Sequence, residues 1–271
     1  MLKDVSFGQY YPVKSFVHSL DPRAKLVFLI AYIVAVFLAK EFLALGICAA
    51  LLFIAILAAR IPLGKILRAV KGVTFLVLFT AALNTLFYPG ETVYWEWKIL
   101  QVTREGLIFS AFLVIRIFLL VICSSLLTYT TTPVALTDGV EGLLTPLKWI
   151  HFPVHELALI MSIALRFIPI LTDETDRIMN AQKARGAKLD TGSLGSRIKA
   201  IVPVLIPLLL SAFRRADELG DAMDARCYSD GKNRTKYKKL IFRVRDAVIL
   251  LLVAALIAGV VVLRIYPRFP L

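Results

Sequence analysis

The chain has 271 residues, 59% of them apolar and only 19% charged, with 32 Lys+Arg against 19 Asp+Glu for a net charge of +13. A soluble domain is usually about 45–50% apolar and about 25% charged, so this composition excludes a soluble enzyme and a disordered chain. It points to a polytopic membrane protein, in which a basic excess marks cytoplasmic loops and anionic headgroups rather than nucleic acid. The three cysteines, Cys48, Cys123 and Cys227, have no disulfide or zinc spacing, and no apolar secretory signal is expected in the first 25 residues.

The apolar run Leu26–Ala59 covers 34 residues and is broken only by Lys40-Glu41. As one helix it would be about 51 Å long, against a hydrocarbon core of about 30 Å. It reads as two short spans turning at Lys40-Glu41, with Ala31, Ala35 and Ala39 as a small-residue stripe for close packing in span 1, whether within the chain or with a partner. A third span is expected from about Gly72 to Tyr88, ending at Pro89-Gly90, and a fourth over about Leu107–Leu127. Val154–Leu171 is apolar but carries Glu156, Arg166 and Pro169, and is expected to be half-buried or interfacial. The last span runs from about Ala247 to Leu263.

Orientation follows from the basic residues. Arg60, Lys65, Arg68 and Lys71 follow span 2 without an acid, whereas Lys98 and Arg104 after span 3 are offset by Glu91, Glu96 and Glu105. The first loop is therefore expected to be cytoplasmic and the second external, with Trp95 and Trp97 at the outer interface. The N-terminus is then inside and the C-terminus outside. Residues 172–243 hold 15 Lys/Arg and 9 Asp/Glu, which suits the cytoplasm.

Two segments of that stretch resemble each other: Ile178-Met-Asn-Ala181-Gln-Lys-Ala184-Arg185-Gly186 and Leu219-Gly-Asp-Ala222-Met-Asp-Ala225-Arg226-Cys227. Both have an aliphatic residue seven before the arginine, alanines four and one before it, and a small residue after it. Both read as helices. The first is expected to begin near Asp173, Glu174 and Asp176 and to end by Arg185, Lys188 and Gly192; the second follows Pro207 and stops before Gly231. Positions −7, −4 and 0 share one stripe. An arginine among small residues can enter a groove and grip a carboxylate bidentately, and two such faces suggest two similar partner surfaces. The bland alternative is a solvated face of good helix formers. Between the copies, Ile198–Phe213 is apolar but holds Pro203 and Pro207, and is expected to be broken there and to lie at the inner interface.

These residues resemble the transmembrane T component (EcfT) family of energy-coupling factor transporters, related to the cobalt-transport CbiQ proteins. The likeness includes Gly8-Gln9-Tyr10-x-Pro12, Ser15, His18-x-Leu20-Asp21-Pro22-Arg23-x-Lys25-Leu26, Arg166-Phe-Ile-Pro169 and Ala181-Gln-Lys-Ala-Arg-Gly186. It continues through Ala212-Phe-Arg-Arg-Ala-Asp-Glu218 and Ala222-Met-Asp-Ala-Arg-Cys-Tyr228. The resemblance implies that Ala184-Arg185-Gly186 and Ala225-Arg226-Cys227 sit on cytoplasmic coupling helices that dock into grooves of a pair of EcfA-like ABC-type ATPases. It also implies a separate substrate-binding membrane S component and a prokaryotic cell membrane. The opening and the Ala-Arg-Cys-Tyr ending look more like the shared vitamin-type T components than the dedicated cobalt type.

No phosphate loop is present: Gly64-Lys65 and Gly231-Lys232 are followed by Ile and Asn, so ATP and Mg are expected on partners and no cofactor on this chain. Asp173-x-x-Asp176 has the form of one acidic pair of a membrane prenyltransferase, but a capping pair looks the same. His151-x-x-x-His155-Glu156 is interrupted by Pro153, and no metal site is expected. The cluster Lys232, Arg234, Lys236, Lys238 and Lys239 reads as an anchor at anionic lipid. Arg116, midway along span 4, is expected to face the bundle, either in an ion pair (Glu156 being a possible partner) or in docking another subunit. The expected architecture is all-α, with about five transmembrane helices and a cytoplasmic arm. Residues 1–171 would form the membrane domain with four spans and an interfacial helix, 172–243 the coupling helices, and 244–271 the last span. The competing functions are a stand-alone secondary transporter, for which only Arg116 and Asn84 lie deep in spans, and an intramembrane prenyltransferase-like enzyme.

Overall fold

The computed structural model describes residues 10–90, 92–97, 100–150, 152–187, 194–228 and 242–265. Nearly all of them are helical: α1 (Pro22–Leu38), α2 (Phe42–Ala59), α3 (Leu63–Phe87), α4 (Arg104–Thr130), α5 (Pro133–Leu144), α6 (Val154–Ala184), α7 (Leu194–Asp224) and α8 (Val244–Ile265). A short antiparallel hairpin, β1 (Val93–Trp97) and β2 (Leu100–Thr103), joins α3 to α4, and a 3-10 turn (Thr145–Ile150) precedes α6. The fold is that of an all-α polytopic membrane protein. The chain divides into two compact units, residues 8–143 with 240–271, and residues 144–239 with 1–7.

In the first unit α1 ends at Leu38 and α2 opens at Phe42, so the chain breaks at the Lys40-Glu41 step. Tyr32, Ala35, Val36 and Ala39 of α1 are buried against Cys48 and Leu52 of α2, Leu119 and Cys123 of α4, and Leu256 and Val260 of α8. Ala35 and Ala39 of the alanine stripe thus pack inside this chain, and Ala31 is half-buried. Tyr32 Oη donates to the Cys48 carbonyl at 3.1 Å, which satisfies the one polar atom of a fully buried ring. The opposite faces are apolar and open; Phe75 on α3 is 81% exposed. Such a surface requires lipid or a partner as its solvent.

Five described helices are long and apolar enough to cross a membrane: α2, α3, α4, α6 and α8. The number matches the sequence reading but the membership differs. At 17 residues α1 is only about 26 Å long. The segment expected to be interfacial is the first half of the 31-residue α6, which runs through Pro169 and through the 171/172 division without a break. Asp173, Glu174 and Asp176 consequently lie inside a helix, not at its start. The same correction applies to α7, which begins at Leu194 and is continuous through Pro203 and Pro207. A proline removes one N–H, and the carbonyl four residues earlier loses its donor. Pro207 frees the Pro203 carbonyl, and Gln182 Nε2 of α6 donates to it at 3.3 Å. That compensation comes from another helix and could not be read locally.

The Asp-Pro step before α1 explains a second part of the sequence. Asp21 is the N-cap, its carboxylate accepting from Arg23 N at 2.9 Å, and Pro22 occupies the first turn where no N–H is needed. Upstream, His18 Nε2 meets the Tyr11 carbonyl at 2.9 Å, so this nitrogen carries the proton and Nδ1 accepts from Ser15 Oγ at 2.7 Å. Burial pushes His18 below its ordinary pKa, which favours this neutral, hydrogen-bonded form.

Candidate functional site

The two arginine segments lie in the second unit, at the C-terminal ends of α6 and α7. These helices run antiparallel, because Gln182 contacts Pro203 while Glu174, earlier in α6, approaches Arg215, later in α7, at 3.6 Å. Arg185 and Arg226 are therefore at opposite ends of the pair, up to roughly 35 Å apart at 1.5 Å per residue.

Each end has the same backbone construction. In α6 the Gly186 N–H bonds the Lys183 carbonyl at 3.0 Å and the Ala187 N–H bonds the Gln182 carbonyl at 3.0 Å. In α7 the Cys227 N–H bonds the Asp224 carbonyl at 2.9 Å and the Tyr228 N–H bonds the Met223 carbonyl at 3.0 Å. Both sets are the paired bonds of a Schellman cap, which closes the last free carbonyls of a helix. The residue after each arginine is left-handed, Gly186 at φ 88° and Cys227 at φ 54°. Each arginine is thus the capping residue itself, at the negative end of the helix dipole, where a cation is favoured.

The repeated small residue gains a second physical meaning here. Beyond letting a partner approach, it must tolerate a left-handed backbone. Glycine does so freely, and any residue with a Cβ is strained by about 1–2 kcal/mol. Cys227→Gly is expected to tighten the end of α7. Cys227→Val, β-branched, should fray it. Amide hydrogen exchange at Ala225–Tyr228 checks this: protection should rise with Gly and fall with Val, and equal protection in both would refute the cap.

Of the predicted site residues, Ala184, Arg185, Gly186, Ala225, Arg226 and Cys227 are all exposed, as are Ala181 and Ala222. Ile178 and Leu219, at the aliphatic position of each copy, are half-buried. The stripe is thus anchored at one end and open at the other. Lys188, Gly192, Gly231 and the basic cluster at 232–239 lie outside the described residues, as does His151.

Arg116 is in the other unit, half-buried on α4. Its Nη2 donates to the Ala39 carbonyl at 2.8 Å, and its guanidinium lies 4.7 Å from the Phe112 ring centroid. Lys40 and Glu41 line the same cleft. Arg116 thus reaches the α1–α2 turn through a backbone acceptor. Asn84 Nδ2 is turned back on its own helix, to the Thr80 carbonyl at 2.9 Å.

Sequence reasoning passed over one buried polar cluster. Asp246, at the start of α8, is 1% exposed and accepts from Asp21 N and Arg243 N, both at 2.8 Å. Lys25, 7% exposed, donates to the Thr130 carbonyl at 2.9 Å and lies in the field of Asp246 and Asp21. This cluster ties the starts of α1 and α8 to the end of α4. Its clue was the charged Asp21 and Lys25 flanking an apolar run, with an acid opening the last span.

Comparison with known proteins gives a consistent result. Residues 13–237 match the family described as CbiQ, Cobalt transport protein. The chain is 46% identical over 264 residues to the energy-coupling factor transporter transmembrane protein EcfT of Acidaminococcus fermentans, covering 97% of this chain and 98% of that one. It is 45% identical over 249 residues to the protein of that name from Ruminiclostridium cellulolyticum, covering 92% and 93%. With the Clostridium kluyveri EcfT it shares 46% over 267 residues, covering 98% and 99%.

Proposed function

The chain belongs to the CbiQ family, and from its near end-to-end likeness to EcfT proteins we propose that it is the transmembrane coupling component of an energy-coupling factor importer. It is a membrane-embedded transporter component. In this reading two ABC-type ATPases bind ATP and Mg and seat one arginine-capped helix each. Their closing and opening moves α6 and α7, and the membrane unit passes that motion to a substrate-binding S component carrying a vitamin or a transition-metal ion. The chain itself is non-catalytic, sits in the cell membrane of a prokaryote, and has its N-terminus in the cytoplasm and its C-terminus outside. The arm lies within residues 172–243, and α8 is the last span.

The observation that carries this reading is the duplicated construction: two helices in one compact unit, each ending in an exposed arginine on a Schellman cap with open alanines beside it. A cap of this kind holds the arginine on a rigid end, so less side-chain and backbone entropy is lost on docking. Opposite ends of an antiparallel pair suit two separate grooves.

The test is reconstitution. The purified chain alone is expected to hydrolyse no ATP. Joined in proteoliposomes with its ATPase pair and an S component, it should support ATP-dependent uptake of that component's substrate. Uptake by the chain alone, driven by an ion gradient, would replace this reading with a secondary transporter.

A further inference from the structure

Two adjoining cavities in the first unit are unused by the coupling reading. One is an open cleft of about 1010 Å³ among the segment before α1, the end of α2 and the start of α8. Its charged lining is Lys14, Arg60 and Arg245, with the hydroxyls of Ser15 and Ser19, and no carboxylate lines it among the described residues. All three cations are exposed. Arg245 is held over the cleft: Nη1 donates to Ser19 Oγ at 3.4 Å, and the guanidinium lies 5.9 Å from the Phe16 ring centroid.

The second cavity, about 160 Å³, lies between α1, α2, α4 and α8 and is lined almost wholly by apolar side chains, among them Leu29, Leu51, Ile54 and Leu126. Phe16 and Ala58 line both cavities, so the basic cleft and the apolar cavity adjoin at these two residues. The junction lies at the end of the bundle where α2 meets α3, which also carries Lys65, Arg68 and Lys71.

A ligand that matches both parts has a phosphate head and a hydrocarbon tail. We propose that this composite cavity is a binding site for one anionic phospholipid, with its phosphate among Lys14, Arg60 and Arg245 and an acyl chain entering past Phe16 between α1, α2 and α4. A free anion would use only the cleft, and a neutral lipid only the apolar part. The occupant therefore bridges the starts of α1 and α8 with the end of α2. The site shares no residue with the basic cluster at 232–239 or with the arginine caps.

The test uses the full chain in detergent, with dioleoylphosphatidylglycerol and dioleoylphosphatidylcholine as probes and native mass spectrometry as the readout. Three phosphate-facing cations are expected to give a preference for the anionic lipid of roughly 100-fold. The triple variant Lys14→Gln/Arg60→Asn/Arg245→Gln should lose most of that preference. Asparagine is chosen at position 60 because that residue has a left-handed backbone, φ 55°. Arg68→Gln/Lys71→Gln, on α3 outside the cleft, should keep the preference. Ala55→Phe, filling the apolar cavity, should weaken retention of the whole lipid while leaving the cations in place. It also tests the site independently if the triple variant does not fold. Glycerol 3-phosphate, the head without the tail, should compete at least tenfold more weakly than the lipid. Equal retention of both lipids would overturn the proposal, as would unchanged preference in the triple variant or unchanged lipid retention in Ala55→Phe. Competition by glycerol 3-phosphate equal to that of the lipid would instead mark a phosphate pocket and also overturn it.

Discussion

The double variant Arg185→Ala/Arg226→Ala is expected to release both ATPases while the membrane unit remains folded. Removing one partner of a buried charged pair costs roughly 2–5 kcal/mol, partly because the other charge is stranded. That is about 30-fold to several-thousand-fold in affinity per site. The cost within the chain is small. Both side chains are exposed, and a cation at a helix end contributes about 0.3–1 kcal/mol. Each single variant should therefore weaken pull-down of the ATPases and slow ATP-dependent uptake, and the double variant should abolish both. Arg→Lys should restore only part, since an ammonium lacks the bidentate fork. Arg177→Ala and Arg214→Ala, exposed on the same two helices but outside the repeat, should behave as the parent. Full ATPase binding by the double alanine variant would reduce Arg185 and Arg226 to ordinary surface residues.

The largest effect on stability is expected at Asp246. Its two carboxylate oxygens accept from the backbone of Asp21, 225 positions away in sequence, and of Arg243. Lys25 is buried in the same field. Asp246→Ala leaves two N–H groups without acceptors and a buried ammonium with less compensation, a loss of about 3–5 kcal/mol. In a chain of this size that lowers the melting temperature by roughly 10 °C. Asp246→Asn keeps one acceptor oxygen and should lose less. Scanning fluorimetry in detergent gives the comparison, with the exposed Asp221→Ala as the reference. An Asp246→Ala protein that melts with the parent would show that the start of α8 is held by packing alone.

Both results bear on what the sequence made legible. Helix positions in the membrane unit followed from apolar run lengths, because a span has a nearly fixed length and a charged pair such as Lys40-Glu41 cannot sit mid-span cheaply. The arginine repeat was legible because it is local: seven to nine residues of one helix carry it. The cap beneath it was half legible. Gly186 signals a left-handed residue, but Cys227 occupies the same conformation without any such signal. Helix continuity was misread wherever the compensation was distant. Pro203 and Pro207 read as breaks, yet the freed carbonyl of Pro203 is met by Gln182 on another helix. The acids at 173–176 read as a helix start because an interior run of acids and a first-turn run look alike in sequence. The Asp246–Asp21 contact joins the first helix to the last; the charges at the starts of those two apolar runs mark each end but not their pairing.

In the coupling mechanism proposed for this chain, one molecule presents two equivalent ends to two ATPases at once. Photo-crosslinking residues placed together at Ala184 and Ala225, both exposed beside their arginines, measure this directly in the assembled complex. The expected product is a covalent species containing one copy of this chain and two ATPase chains, alongside the two single crosslinks. If both positions crosslink only one ATPase, or neither crosslinks any, the two capped helices are not a pair of docking ends and the coupling mechanism proposed for this chain is wrong.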